Sequence, residues 1–361
     1  MYFRGMARPI FHPLTVKNIR KETADCVSVA FDIPADLLAQ YQFIPGQYLT
    51  LRATVNGSDI RRSYSISSGL NDGECRVAIK KVEQGVFSTW ANEVLKQGDV
   101  VQVMTPMGSF CPQLQCDQKK HYLLIGAGSG ITPLMSIAKS VLHGEPNSEV
   151  SLIYGNRHFQ QIIFRDELED LKDTHLGKFR VFHVLSGEPN DIALLHGRIN
   201  NEKINGFLNT FFADTTIDSV FLCGPQEMTE NAKQLFLDRG MNADDVHAEL
   251  FNTAQPVKRE EVKKVEDTAN LCEVSVIMDG QQTDFKMPMG APVLDAAQKA
   301  GMDIPFSCKG GMCCTCRAKV LEGQAEMMVN YALEPGEVQD GYVLTCQAVP
   351  KSAKLVVDFD Q

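Results

Sequence analysis

The sequence predicts a multidomain chain: an antiparallel β-barrel, then a doubly wound α/β domain, then a small α+β unit. Three observations predict it. The 361 residues exceed what one ordinary hydrophobic core organises. Short alternating runs fill the first third, whereas strand–helix alternation fills the middle. A charged stretch then precedes a last segment with its own hairpin, helix and cysteine-rich loop. The expected boundaries are 8–117, 118–251, a linker at 252–270, and 271–361.

In the first part, Thr15–Ile19, Val27–Phe31, Tyr48–Val55 and Cys75–Val82 read as strands between turn signals. A single helix candidate, Phe87–Leu95, interrupts them, so a small antiparallel barrel is expected. From His121 to Phe251 the strands are Tyr122–Ile125, Val150–Tyr154, Phe179–Leu185 and Ser219–Cys223. Between them Pro133–Leu142, Arg165–Leu171 and Gln226–Asp238 read as helices, the pattern of a parallel sheet. The stretch QPVKREEVKKVEDTAN reads as a linker, although Val257, Val262 and Val265 leave an exposed helix open. Beyond it, Cys272–Met278 and Thr283–Lys286 form a hairpin round Asp279–Gly280, followed by a helix at Pro292–Ala300.

Composition excludes several classes. The net charge of −10 disfavours nucleic-acid binding, which needs a basic surface. No apolar run approaches the roughly 18 residues of a membrane span. Met1–Pro9 carries Arg4 and Arg8 but no apolar core of a signal peptide, so a cytoplasmic location is expected. In that setting eleven cysteines are not a disulfide framework; clustered ones are ligands or catalytic groups.

The cysteines do cluster. Cys308, Cys313 and Cys316 follow C-x4-C-x2-C, with Cys346 further on, which is the plant-type [2Fe–2S] spacing. Zinc is the competing metal, but zinc sites pair C-x2-C knuckles, and here the fourth cysteine stands alone. Gly310 and Gly311 let the backbone turn tightly and aim amides at sulfur. Cys314 does not fit the ligand pattern and reads as a spacer. Cys26, Cys75, Cys111, Cys116 and Cys272 read as ordinary small residues. Over 271–361 the sequence resembles plant-type ferredoxins. That resemblance implies a β-grasp fold with the four cysteines as ligands.

Two motifs in the first part suit a phosphate-bearing aromatic cofactor. Arg62-Ser-Tyr64-Ser65-Ile-Ser-Ser68 offers a cation, an aromatic ring and hydroxyls. Gly85-Val86-Phe87-Ser88 precedes the helix, whose N-terminus is a phosphate seat. In the middle part, strand Tyr122–Ile125 runs into Gly126-Ala-Gly128-Ser-Gly130-Ile-Thr132-Pro133, a pyrophosphate turn with Thr132 as expected N-cap and Pro133 as first helical residue. Its third glycine comes one residue earlier than in G-x-G-x-x-G. Cys223-Gly224-Pro225 follows the Ser219–Cys223 strand, and Glu249-Leu-Phe251 closes the domain.

Together these motifs resemble the ferredoxin–NADP⁺ reductase family, including its early third glycine. The resemblance implies that Arg62 binds flavin phosphate, Tyr64 packs on the flavin, and Ser65 lies near flavin N5. Gly85, Val86, Phe87 and Ser88 would line the pyrophosphate, with Ser68 beside them. It further implies that Cys223 sits by the nicotinamide, that Glu249 completes that pocket, and that Phe251 shields the flavin. The loop Pro106–Phe110 resembles that of FAD-binding members, which favours FAD over FMN. After the second strand, Tyr154-Gly-Asn156-Arg157 carries no acid, and Arg157 could pair with a 2′-phosphate. This leans to NADPH, with NADH open.

The order flavin, nucleotide, ferredoxin is that of certain reductases of aromatic and steroid oxygenases. The implied reaction is hydride transfer from nicotinamide to flavin, then single electrons through the cluster to a di-iron oxygenase partner. A flavin or quinone reductase with a small acceptor is the alternative, but it needs no one-electron exit.

Overall fold

The computed structural model describes residues 10–251 and 271–361. The expected linker lies outside the described residues, as does the N-terminal stretch. By their contacts the described residues form two compact units. One is built of Phe11–Ile60 and Tyr64–Phe251; the other holds 271–361.

The first part of the chain contributes β1 (Phe11–Thr23), β2 (Cys26–Asp32), β3 (Tyr48–Val55), β4 (Ser58–Ser65), β5 (Cys75–Lys80), α1 (Val86–Glu93) and β6 (Val100–Met104). The strands form one sheet in the order β4-β3-β6-β1-β2-β5. The sheet curls until its two edges meet at the bridge Ile66–Val77, next to the bond from Ser67 N to Arg76 O (2.8 Å). Leu14, Val29, Leu49, Ile66, Val77 and Val103 fill the interior, and Phe87 closes it from α1. Sequence alternation found β1, β2, β3 and β5 but not β4 or β6. β4 reads SDIRRSYS, and its buried side chains include Arg61 and Ser65, so no apolar alternation exists to be seen.

The second part runs β7 (His121–Ala127), α2 (Ile131–Gly144), β8 (Glu149–Asn156), α3 (Arg165–Thr174), β9 (Phe179–Leu185), α4 (Asn201–Phe211), β10 (Ser219–Gly224), α5 (Gln226–Asp238) and β11 (Val246–Leu250). All five strands are parallel, in the order β11-β10-β7-β8-β9. Alternate residues of β7 face opposite layers. Tyr122 and Leu124 pack with α2 and α3, while Leu123 and Ile125 pack with α4 and α5. That double burial explains why the inner strands β7 and β10 read as continuous apolar runs. Leaving β7, the chain goes to β8 on one side and later to β10 on the other. The crevice beyond their carboxyl ends is therefore a topological switch point.

The C-terminal unit contains β12 (Leu271–Met278), β13 (Gln281–Pro288), α6 (Val293–Lys299), β14 (Arg317–Glu322), β15 (Ala325–Met327), α7 (Pro335–Gln339), β16 (Tyr342–Leu344), β17 (Ala348–Pro350) and β18 (Lys354–Asp358). The mixed sheet β13-β12-β18-β14-β16 grasps α6 through Val293, Leu294 and Ala297. The β12–β13 turn falls on Asp279 (φ 54°) and Gly280 (φ 70°), as the Asp-Gly pair predicts.

A buried polar knot ties the segment leading out of the barrel to the parallel sheet. The carboxyl of Glu145, fully buried at the end of α2, accepts from Tyr122 Oη (3.0 Å), Gln115 N (3.0 Å), Gln118 Nε2 (2.8 Å) and Ser148 Oγ (2.8 Å). Replacing it by an apolar residue orphans four donors at once. Glu145→Leu is expected to cost about 3 kcal/mol or more. Urea denaturation followed by flavin release checks this; Glu145→Gln should lose less.

Candidate functional site

The parallel sheet lines up three of the sequence-predicted residues. Gly126 on β7 pairs with Cys223 on β10, and Cys223 pairs with Glu249 on β11. They form one row across the switch point. The turn after β7 then crosses the end of β10 so closely that a Cβ on Gly130 would lie 2.1 Å from Cys223 O. The early third glycine is a requirement of this crossing: no side chain fits there.

The helix after the turn starts differently from the sequence expectation. α2 begins at Ile131 with Gly130 as its N-cap, so Thr132 and Pro133 lie within the first turn. The reason is a short 3₁₀ turn, Gly128–Gly130, that runs straight into the helix. Thr132 Oγ1 donates back to Ser129 O (3.0 Å) and does not cap. Pro133 still costs nothing, because first-turn amides have no intrahelical acceptor.

Ser65, at the end of β4, is buried and its hydroxyl donates to Glu249 Oε2 (3.4 Å). Burial pushes the Glu249 carboxyl up to about 8, although the side chain keeps partial solvent access. At neutral pH it is therefore mostly protonated. Beside it, Cys223 is fully buried, and burial reinforced by Glu249 raises its thiol well above the ordinary value. A neutral, desolvated thiol is a soft contact surface and not a nucleophile. Phe251 is half-buried against the core under α2.

Arg62 is exposed on β4, donating to Arg61 O (2.7 Å), and Tyr64 packs its ring against Phe87 (5.8 Å between centroids). Gly85 is the N-cap of α1, and Ser88 Oγ spans the turn between Gly85 O and Val82 N (3.2 Å each). Phe87 is core, so what it offers a phosphate is its backbone amide, alongside those of Val86 and Ser88. Ser68 is buried, and its carbonyl accepts from Ser136 Oγ on α2 (2.7 Å). Gly224 and Pro225 lead from β10 into α5. Arg157 is exposed just beyond β8 and has no ion pair among the described residues.

Three contributors escaped the sequence reading. Tyr154 Oη donates to Gly128 O (2.9 Å) and pins the glycine turn from β8. Lys80 Nζ, at the end of β5, stands 4.0 Å from where a Cβ on Gly128 would be, a cation above a pyrophosphate turn. Lys139 pairs with Asp72 (2.8 Å) and with Glu167, and with Ser136 it fastens α2 to the loop after Ser68. All three act across elements distant in sequence, so no local pattern announces them.

In the C-terminal unit the four ligand-pattern cysteines converge. The thiols of Cys308 and Cys313 interact, as do those of Cys316 and Cys346, and Cys308 also meets Cys346. Cys308 Sγ accepts from Gly310 N (3.3 Å) and Met312 N (3.4 Å); the neighbouring thiols of Cys313 and Cys346, and after them these amides, lower its pKa against its burial. Four thiols linked in this way match the two thiolates that each iron of a two-iron cluster takes. Gly311 adopts φ 74°, where a Cβ would meet Val329 O at 2.9 Å. Cys314 Sγ donates to Ala332 O (3.4 Å) and lies within the core of the unit. The donor set and its amides fit a [2Fe–2S] cluster.

Comparison with known proteins agrees with these features. Residues 13–111 match the oxidoreductase FAD-binding domain, 124–234 the oxidoreductase NAD-binding domain, and 276–351 the 2Fe-2S iron-sulfur cluster binding domain. The chain is thus an NAD(P)H-dependent flavoprotein reductase with FAD and a [2Fe–2S] cluster as cofactors. It is 41% identical to a subunit of the 1,2-phenylacetyl-CoA epoxidase of Escherichia coli, over 97% of this chain and 98% of that one. It is 32% identical to the ferredoxin reductase component of 3-ketosteroid-9-alpha-monooxygenase of Rhodococcus rhodochrous, over 96% of each. The fold matches that of phthalate dioxygenase reductase with a TM-score of 0.59 and 23% identity, over 96% of this chain and 98% of that one. The chain belongs to the family of oxygenase reductases that join a ferredoxin–NADP⁺-reductase-like module to a [2Fe–2S] ferredoxin domain. No helix among the described residues is long and apolar enough to cross a membrane.

Two outcomes are expected. Cys313→Ser should lose the cluster's visible absorption and paramagnetic signal, whereas Cys314→Ser should keep both. The rate of flavin reduction, measured by stopped flow against pH, should bend near pH 8, as Glu249 ionises above its raised pKa. The bend should be absent in Glu249→Gln.

Proposed function

We propose that this chain carries electrons from NADPH to the oxygenase component of a phenylacetyl-CoA epoxidase. The observation that supports it most is the union, in one chain, of a hydride-accepting site with a four-cysteine one-electron exit. The named partner rests on the 41% identity to a subunit of that epoxidase, against 32% for the steroid relative. A cytoplasmic location is part of the proposal.

When bound, FAD would supply the hydride-accepting chemistry and a [2Fe–2S] cluster the one-electron exit. The chain's residues do the rest. Arg62 and the α1 amides of Val86, Phe87 and Ser88, at Gly85, hold flavin phosphates, while Tyr64 packs on the flavin and Ser68 braces the loop. Gly126, Gly128 and Gly130 bring backbone to the coenzyme pyrophosphate, with Thr132 and Pro133 in the first turn of the helix behind it. Cys223, Gly224 and Pro225 form the floor under the nicotinamide. Ser65 and protonated Glu249 form a hydroxyl–carboxyl pair at the reacting end, and Phe251 covers the flavin face. Cys308, Cys313, Cys316 and Cys346 hold the cluster.

Arg157 supplies the preference for NADPH. Glu188, in the loop after β9, is engaged by Phe159 N (2.8 Å) and faces His158. Arg157→Ala should raise the KM for NADPH about tenfold and leave that for NADH within about twofold, since one charge-assisted contact is lost. Reconstitution tests the partner. With the oxygenase component of a phenylacetyl-CoA epoxidase, NADPH oxidation should be coupled to product; coupling only to a 3-ketosteroid hydroxylase would overturn the assignment.

A further inference from the structure

Gln347 follows the last cluster cysteine, and no reading of the sequence marked it. Its side chain is buried, at 6% exposure. The amide Nε2 lies 3.0 Å from Lys309 O and 3.7 Å from Cys346 Sγ, as donor to both. Lys309 is the residue after Cys308 and has φ 51°, a left-handed conformation uncommon for a side-chain-bearing residue. The Gln347 stem passes the cradle at Gly311, where a Cβ would sit 3.3 Å from Cγ. Its backbone carbonyl accepts from Met328 N (3.0 Å). One side chain therefore joins the loop carrying Cys308 and Cys313 to the turn between β16 and β17 that carries Cys346.

The other sulfurs are dressed by backbone amides or a hydroxyl: Cys308 by Gly310 N and Met312 N, Cys313 by Thr315, and Cys316 by Cys346 N. Cys346 is the one whose dressing comes from a carboxamide. An N–H directed at a thiolate stabilises the form with more negative charge, which for a cluster is the reduced one.

We propose that Gln347 is a positioning residue that sets the cluster's reduction potential, by donating to the Cys346 thiolate while fixing the Lys309 carbonyl. This rests on Cys346 being a cluster ligand. The role is distinct from that of the ligands, because no iron bond is lost when the amide is removed.

The test uses the full-length holoprotein and the variants Gln347→Leu and Gln347→Glu, with iron content and cluster absorption measured first. Wild type lacking iron would refute the ligand assignment, not this proposal. In loaded protein, an optical and paramagnetic redox titration should show the cluster harder to reduce in both variants. The ratio of reduced to oxidised cluster at fixed poise should fall about fivefold in Gln347→Leu, the worth of one hydrogen bond. It should fall further in Gln347→Glu, which adds a negative charge. The rate of flavin reduction by NADPH should not change. An unchanged cluster potential in either loaded variant overturns the proposal. Should neither variant load, wild type with nitrogen-15 in its glutamine side chains decides: coupling of that nitrogen to the reduced cluster supports the role, and its absence overturns it.

Discussion

The crossing of the glycine turn over the end of β10 is the constraint on which the nucleotide half depends. A Cβ on Gly130 would meet Cys223 O at 2.1 Å, so turn and strand are in contact at backbone level. That contact fixes where α2 begins, and α2 in turn carries Ser136 and Lys139 to the loop after Ser68. A single rigid chain of contacts thus links the turn meant for the coenzyme to the motif meant for the flavin. Hydride transfer tolerates little error in donor–acceptor distance, which makes such rigidity useful.

The two redox stations manage charge in opposite ways. Around Glu249 the chain withdraws water and keeps a carboxyl and a thiol neutral, so no fixed negative charge faces an arriving hydride. Around Cys308 it does the reverse, directing the amides of Gly310 and Met312 at sulfur. Both follow from where N–H groups point and how much water is excluded. Neither needs an additional charged residue.

Much of this was legible in the sequence because some patterns are local. The C-x4-C-x2-C spacing, the Asp279–Gly280 turn and the apolar runs of β7, β8, β9 and β10 each carry their own geometric reason. What stayed hidden was set by tertiary contact. β4 buries Arg61 and Ser65, so hydrophobic alternation could not reveal it. β11, VHAEL, is short and stacks His247 on Phe221 (4.4 Å), a contact no pattern encodes. α4 has Ile204, Phe207 and Leu208 at helical spacing, but Gly206 and three asparagines dilute its propensity, and its Asn200 cap is what starts it. Thr132 looked like a cap until the 3₁₀ turn before it supplied an earlier start. Tyr154 and Gln347 act through hydrogen bonds to residues many positions away, and only coordinates show them.

The central claim is an electron path from nicotinamide through flavin to the cluster. An anaerobic titration of the purified chain with NADPH and then NADH, followed by visible absorption and electron paramagnetic resonance, tests it most directly. The account predicts flavin bleaching accompanied by the signal of a reduced [2Fe–2S] cluster, with NADPH the faster donor. Flavin bleaching with no cluster signal, in iron-replete protein, would contradict it.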